Sequence, residues 1–153
     1  MVDARRALPS YGGRDVHPLD LHLTLVFLGE LDAEHRKCAE AAAQGVRAAP
    51  FALTLDRIGS FPRARILWCG AGASPQPLLA LVGGLGEGLR GCGFRPERRP
   101  YVPHATLARK ARPLCARALE LPVSWPVDEF VLALGREGGP PRYRVLRRWP
   151  LAL

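Results

Sequence analysis

The chain has 153 residues, 48% of them hydrophobic and 24% charged, which suits a single packed domain. No apolar run approaches the roughly 18 residues of a membrane span, and the opening MVDARRALPSYGG has no apolar stretch of the kind a secretory signal needs, so a cytoplasmic protein is expected. The net charge of +8 is almost entirely arginine, since Lys37 and Lys110 are the only lysines. Arginine's planar fork suits phosphate, so a polyanion such as RNA fits this balance, as does a merely solubilising surface.

Residues 21–28 (LHLTLVFL) read as a strand, with Leu21, Leu23, Leu25 and Phe27 on one face and His22, Thr24, Val26 and Leu28 on the other. Asp32 reads as the N-cap of a helix running to about residue 49, stopped by Pro50. Residues 51–59 alternate again as a strand, and 64–70 form another after a turn at Phe61-Pro62. Leu78, Val82, Leu85 and Leu89 mark a helix over 76–90, against the opposing propensity of its glycines. A loop over 91–103 carries Arg95, Arg98 and Arg99 and leads into a short strand, 104–109. Residues 114–121 read as one or two helical turns, and 127–134 with 143–149 as a strand pair joined by GREGGPPR. Strands interleaved with two helices point to an α+β or α/β sandwich. Cys38, Cys69, Cys92 and Cys115 lie far apart with no C-x-x-C or zinc spacing, so reduced thiols are expected rather than structural zinc or a disulfide framework.

One short element repeats. His22-Leu23-Thr24-Leu25 returns as His104-Ala105-Thr106-Leu107, in a chain with only four histidines and three threonines. Along a strand, residues i and i+2 share a face, so each His projects beside its Thr. Two such strands together would surround one small pocket with two imidazoles and two hydroxyls. Phosphodiester cleavage needs such a set: one neutral imidazole to take a proton from water and one protonated imidazole to give a proton to the leaving oxygen. The hydroxyls can hydrogen-bond the non-bridging oxygens as charge builds on phosphorus. His17 and His35 lack a partner Thr and read as a loop residue and a solvated helix residue. No H-E-x-x-H, Walker A or G-x-S-x-G motif is present, and neither His motif contains a carboxylate that would make a metal site of it.

The two H-x-T-x motifs, with LHLTLVFLGE around the first and GFRPERRPYVPHATLAR around the second, resemble the 2H phosphoesterase superfamily. Within it the chain is most similar to the RNA 2′,3′-cyclic phosphodiesterases, also called 2′-5′ RNA ligases. GSFPRARILWCG, VDEFVLAL and RYRVL extend the likeness over most of residues 13–153. The resemblance implies one bilobal α+β domain over residues 1–153, with pseudo-symmetric antiparallel sheets, flanking helices and a central cleft. It implies hydrolysis of RNA 2′,3′-cyclic phosphate ends to 2′-phosphomonoesters, or reversible ATP-independent 2′-5′ joining, by His22 and His104 with neither cofactor nor metal. Thr24, Thr106 and Arg109 would hold the phosphate. Tyr101 and Phe61 are candidates for base stacking, and Arg63 and Arg65 for RNA contact.

Strict alternation would turn Arg109 away from His104, so a bend or strand end is expected between them. The family's opening strand and helix are expected to be missing, because only about 20 residues precede His22. The expected partner is RNA with a cyclic end or a small cyclic nucleotide, and the expected state a monomer. Cyclic nucleotide-sugar cleavage is a related alternative. A basic RNA-binding protein without catalysis is the alternative of another class, and it leaves the matched pair of titratable groups without a purpose.

Overall fold

The structure, a computed structural model, describes residues 11–153. Strands β2 (Phe51–Phe61) and β3 (Ile66–Gly70) form a hairpin, paired from Phe61↔Ile66 to Arg57↔Gly70. β4 (His104–Arg109) pairs with the other side of β3, and the two-residue β1 (Arg14–Asp15) lies outside β4. β5 (Arg117–Val127) pairs with the free edge of β2, giving the order β1-β4-β3-β2-β5 with antiparallel neighbours throughout. β6 (Glu129–Gly135) and β7 (Tyr143–Pro150) make a separate antiparallel pair. Helices α1 (Ala33–Gly45) and α2 (Gln76–Arg90) pack side by side, so the molecule is α+β. Whether the opening strand and helix are missing turns on residues 1–10, outside the described residues.

Two apolar clusters hold these parts. Leu53, Leu55, Ile58, Leu67, Cys69, Ala105, Leu107 and Ala108 form the first, under the five-stranded sheet. Ala39 and Ala43 of α1, Leu81, Leu85 and Leu89 of α2, and Phe130 and Trp149 of the hairpin form the second. Leu78 of α2 joins the first cluster while its later leucines join the second. Leu25, Phe51 and Val127 touch both. Burial of these leucines explains why α2 forms despite its glycines: packing of an apolar stripe outweighs a propensity cost of about 1 kcal/mol for each glycine. Asp32 caps α1 as expected, accepting from the His35 backbone N–H, and that bond, then the His35 ring, holds its carboxyl below the usual range.

Three expectations are corrected. Residues 21–28 are extended but not a strand: their single rung is Leu23↔Ala105. The alternation survives through Leu25, because Leu21, Leu23 and Leu25 pack on the first core while His22 and Thr24 face outward. It then fails, and Phe27 is 88% exposed rather than core-facing. Residues 114–121 supply the start of β5 instead of helical turns, since Arg117 and Ala118 pair with Ile58 and Arg57. Pairing to a waiting sheet edge outweighs local helical preference. Finally, Cys38 and Cys92 are joined, with Cα atoms 5.8 Å apart, because the helix pair brings together residues 54 positions distant. Spacing along the chain carries no sign of this.

A cross-link closing a loop of that length stabilises by up to about 4 kcal/mol in the chain-entropy account. Dithiothreitol is therefore expected to lower the denaturant midpoint of the native protein and to leave that of a Cys38→Ala/Cys92→Ala variant unchanged.

Candidate active site

The Leu23↔Ala105 rung sets the site. Both residues point into the first core, Ala105 with no exposure at all. The residues beside them therefore face the opposite way. Extending the antiparallel register by one residue puts His22 opposite Thr106 and Thr24 opposite His104. In that register the two histidines lie on one diagonal and the two threonines on the other.

Each imidazole is latched in the same way. His22 Nδ1 lies 2.6 Å from the Asp20 carbonyl, and His104 Nδ1 lies 2.9 Å from the Val102 carbonyl, in both cases the residue two before. A carbonyl oxygen only accepts, so Nδ1 must carry hydrogen in both rings. That leaves each Nε2 as the working atom, a proton acceptor when the ring is neutral and a donor when it is charged. Each ring also meets an aromatic at an edge-on angle: Tyr143 against His22 at 4.8 Å and Phe61 against His104 at 5.2 Å. A latch and a wall together restrict both χ angles of each histidine.

The second motif rests on a tryptophan. Trp68 pairs with Thr106 and Gly70 with His104. The Trp68 ring lies over Gly59, where a Cβ would come within 2.6 Å, and over Gly70, where a Cβ would also come within 2.8 Å of the Pro103 carbonyl. Phe61 packs beside Trp68 at 5.7 Å and is 40% exposed, so it can still present a face to a base.

Tyr101 is tied to the first motif through its hydroxyl, which donates to the Thr24 carbonyl at 3.0 Å and so joins the loop before the second motif to the first. Burial pushes the phenol up to about 12. A pKa raised above the unfolded value gives stability that is complete below about pH 10 and lost as pH rises towards 12. Tyr101→Phe is expected to cost about 1 kcal/mol at neutral pH through the lost hydrogen bond and to flatten the fall in stability over that alkaline window, both read from guanidinium melts.

Arg109 does reach the histidine face, through a β-bulge. Leu67 pairs with Ala108 but Trp68 pairs with Thr106, so Leu107 is an extra residue in β4. Leu107 and Ala108 are consecutively buried and Arg109 emerges exposed, the alternation having been reset. Arg63 and Arg65 are exposed in the β2–β3 turn. Arg65 donates to the Lys110 carbonyl at 3.3 Å and its own carbonyl accepts from Ala111, bracing the end of β4. His35 is exposed on α1 against Asp32, and His17 caps a 3-10 turn over Pro18–Asp20, so neither joins the site. Cys69 lies beside Ala105, and burial pushes its thiol up to about 11, leaving it protonated at neutral pH. Sequence reasoning missed Asp20, Trp68 and Tyr143. An Asp two residues before the histidine was the one signal for Asp20; the others are brought in by strand pairing and by the hairpin.

Two imidazoles whose Nε2 atoms have no hydrogen-bond partner among the described residues, each with a hydroxyl beside it, are an arrangement capable of bifunctional acid–base chemistry on a phosphoester. Residues 2–139 match the model of the 2′-5′ RNA ligase superfamily, and the chain belongs to that family. The RNA 2′,3′-cyclic phosphodiesterase of Escherichia coli strain K12 is 38% identical over 149 residues, spanning 94% of this chain and 82% of that one. The enzyme of the same name from Thermus thermophilus is 34% identical, over 99% of this chain and 82% of its own. Among solved structures, E. coli LigT complexed with 3′-AMP superposes with a TM-score of 0.86 at 34% identity, covering 99% of this chain and 88% of that one.

Proposed function

We propose that this protein hydrolyses RNA 2′,3′-cyclic phosphate ends to 2′-phosphomonoesters, with His22 and His104 as its acid–base pair. The observation that carries the reading is the matched pair of latches: two imidazoles held by backbone carbonyls at Nδ1 beside one rung, with neither Nε2 hydrogen-bonded among the described residues. One Nε2 takes a proton from water as the water oxygen bonds to phosphorus. The bond from phosphorus to O3′ breaks, and the other Nε2 gives O3′ its proton, leaving the phosphate on O2′. Thr24 and Thr106 donate to the non-bridging oxygens, and the Arg109 guanidinium holds the phosphate or its neighbour. Phe61 offers a stacking face to the terminal base. Arg63 and Arg65 add positive charge for the RNA strand beyond.

The same atoms serve joining. An RNA 5′-hydroxyl in place of water gives a 2′-5′ linkage by an identical exchange of protons, which is the reading that the family's name favours. One bilobal domain suits this chemistry, a reading supported by the two apolar cores and by Leu25, Phe51 and Val127, which touch both. A monomer in the cytoplasm is the state we propose, although a Cys38–Cys92 disulfide is uncommon in a reducing compartment. Among the described residues no helix is long and apolar enough to cross a membrane.

The test is a short RNA ending in a 2′,3′-cyclic phosphate, incubated with the protein in excess EDTA, the products separated as 2′- and 3′-phosphates. Turnover to the 2′-phosphate is expected. Folded protein that leaves the cyclic end intact, or that needs added metal, would sink the proposal.

A further inference from the structure

His104 is walled by Phe61, which reaches it from the sheet that also carries β4. His22 is walled by Tyr143, from the separate β6–β7 pair, so something must hold that hairpin against the first motif. The link is Asp20. Asp20 is 6% exposed, and its carboxylate accepts from the Arg142 backbone N–H at 2.8 and 3.0 Å and from that of Tyr143 at 3.2 Å. Its own N–H donates to the His17 carbonyl at 2.8 Å, and its carbonyl is the latch for His22. Asp20 has no salt bridge among the described residues, where the groups that meet its carboxylate are backbone N–H dipoles. A buried carboxylate is costly to keep even with such bonds. An apolar residue here would close the hairpin against the chain without that cost, but would leave both contacts of His22 unanchored.

We propose that Asp20 is a positioning residue for His22: one side chain fixes both the carbonyl that sets the tautomer of His22 and the aromatic wall that sets its ring plane. The contacts form a closed circuit from the Asp20 carboxylate to the backbone of Arg142 and Tyr143, through the Tyr143 ring to His22, and from Nδ1 back to the Asp20 carbonyl. His104 has the same two contacts without a carboxylate between them, so it serves as a control within the same molecule. The kinetic side of this inference rests on the acid–base reading above; its spectroscopic side does not.

The experiment records long-range proton–nitrogen spectra of the imidazole rings in the neutral state, alongside kcat and KM on the cyclic-phosphate RNA. In the native protein both rings are expected to carry hydrogen on Nδ1. Asp20→Ala is expected to turn His22 into a mixture of tautomers while His104 stays as it was. It should also lower kcat by about 10–100-fold, as loss of an orienting outer partner does, with KM within about two-fold. Asp20→Asn keeps an oxygen able to accept from both N–H groups and is expected to retain the native His22 signals. Asp20→Glu keeps the charge but displaces the anchor by a methylene, and should disturb His22 alone; it decides the matter if the alanine variant does not fold. An unchanged His22 tautomer in both disruptive variants would overturn the proposal, and so would equal disturbance of His22 and His104. A native protein that turns over no cyclic phosphate, but in which Asp20→Ala releases only His22, would keep this brace and remove the acid–base reading.

Discussion

Alanine at His22 or at His104 is expected to lower kcat/KM by about 10³-fold, within the range that a positioned general acid or base contributes. The two losses should not multiply. Once one imidazole is gone, the proton leaving water and the proton reaching O3′ are no longer moved in one concerted exchange, and the remaining imidazole has less to contribute. The pH profile separates the roles. With one ring neutral and one charged, native kcat/KM should trace a bell. The variant lacking the base should lose the acidic limb, and the variant lacking the acid should lose the alkaline limb. Steady-state rates on the cyclic-phosphate RNA across pH check this. A single variant that retained both limbs would take that histidine out of the reaction. Each variant should lose only about 1 kcal/mol of stability, the scale of the one hydrogen bond its ring makes, because neither side chain belongs to the core clusters.

The second large effect is expected at a residue with no chemistry of its own. A Cβ at Gly70 would stand 2.8 Å from the Pro103 carbonyl, which is backbone and cannot swing aside as a flexible side chain can. Gly70 pairs with His104, and the displaced segment holds the Val102 carbonyl that latches it. Gly70→Ala should therefore cost about 1–3 kcal/mol of stability, as overpacking does. It should also lower kcat by about 100-fold, the scale of a displacement near 1 Å at a reacting group. Gly83→Ala, on α2 where a Cβ meets nothing within 4 Å, is the matching control. It should raise stability by roughly 0.5–1 kcal/mol and leave turnover alone. Melts and steady-state rates on the two variants distinguish a site effect from general intolerance of added carbon.

The paired motifs were legible because a period of two is local. His22 with Thr24, and His104 with Thr106, share faces whatever the strand pairs with, and the intervening Leu23 and Ala105 then belong inside. α2 was legible with its full range for a similar reason, its leucines marking one stripe without reference to any partner. Local reading failed wherever a distant partner decided. Residues 114–121 became part of β5 because the edge of β2 was open to them, and 21–28 did not become a strand because only one rung found a partner.

By itself, then, the amino-acid order determined which side chains can serve as the acid–base pair, which face each occupies, and the family to which their spacing belongs. The tertiary structure alone decided the rung that brings the motifs together and the bulge at Leu107 that turns Arg109 toward them. It also decided the Cys38–Cys92 link and the Asp20–Tyr143 brace behind His22. Facing is set by backbone geometry over two residues, whereas register, bulges and cross-links depend on contacts between segments from 38 (Trp68↔Thr106) to 122 (Asp20 to Arg142) positions apart, which no local pattern encodes.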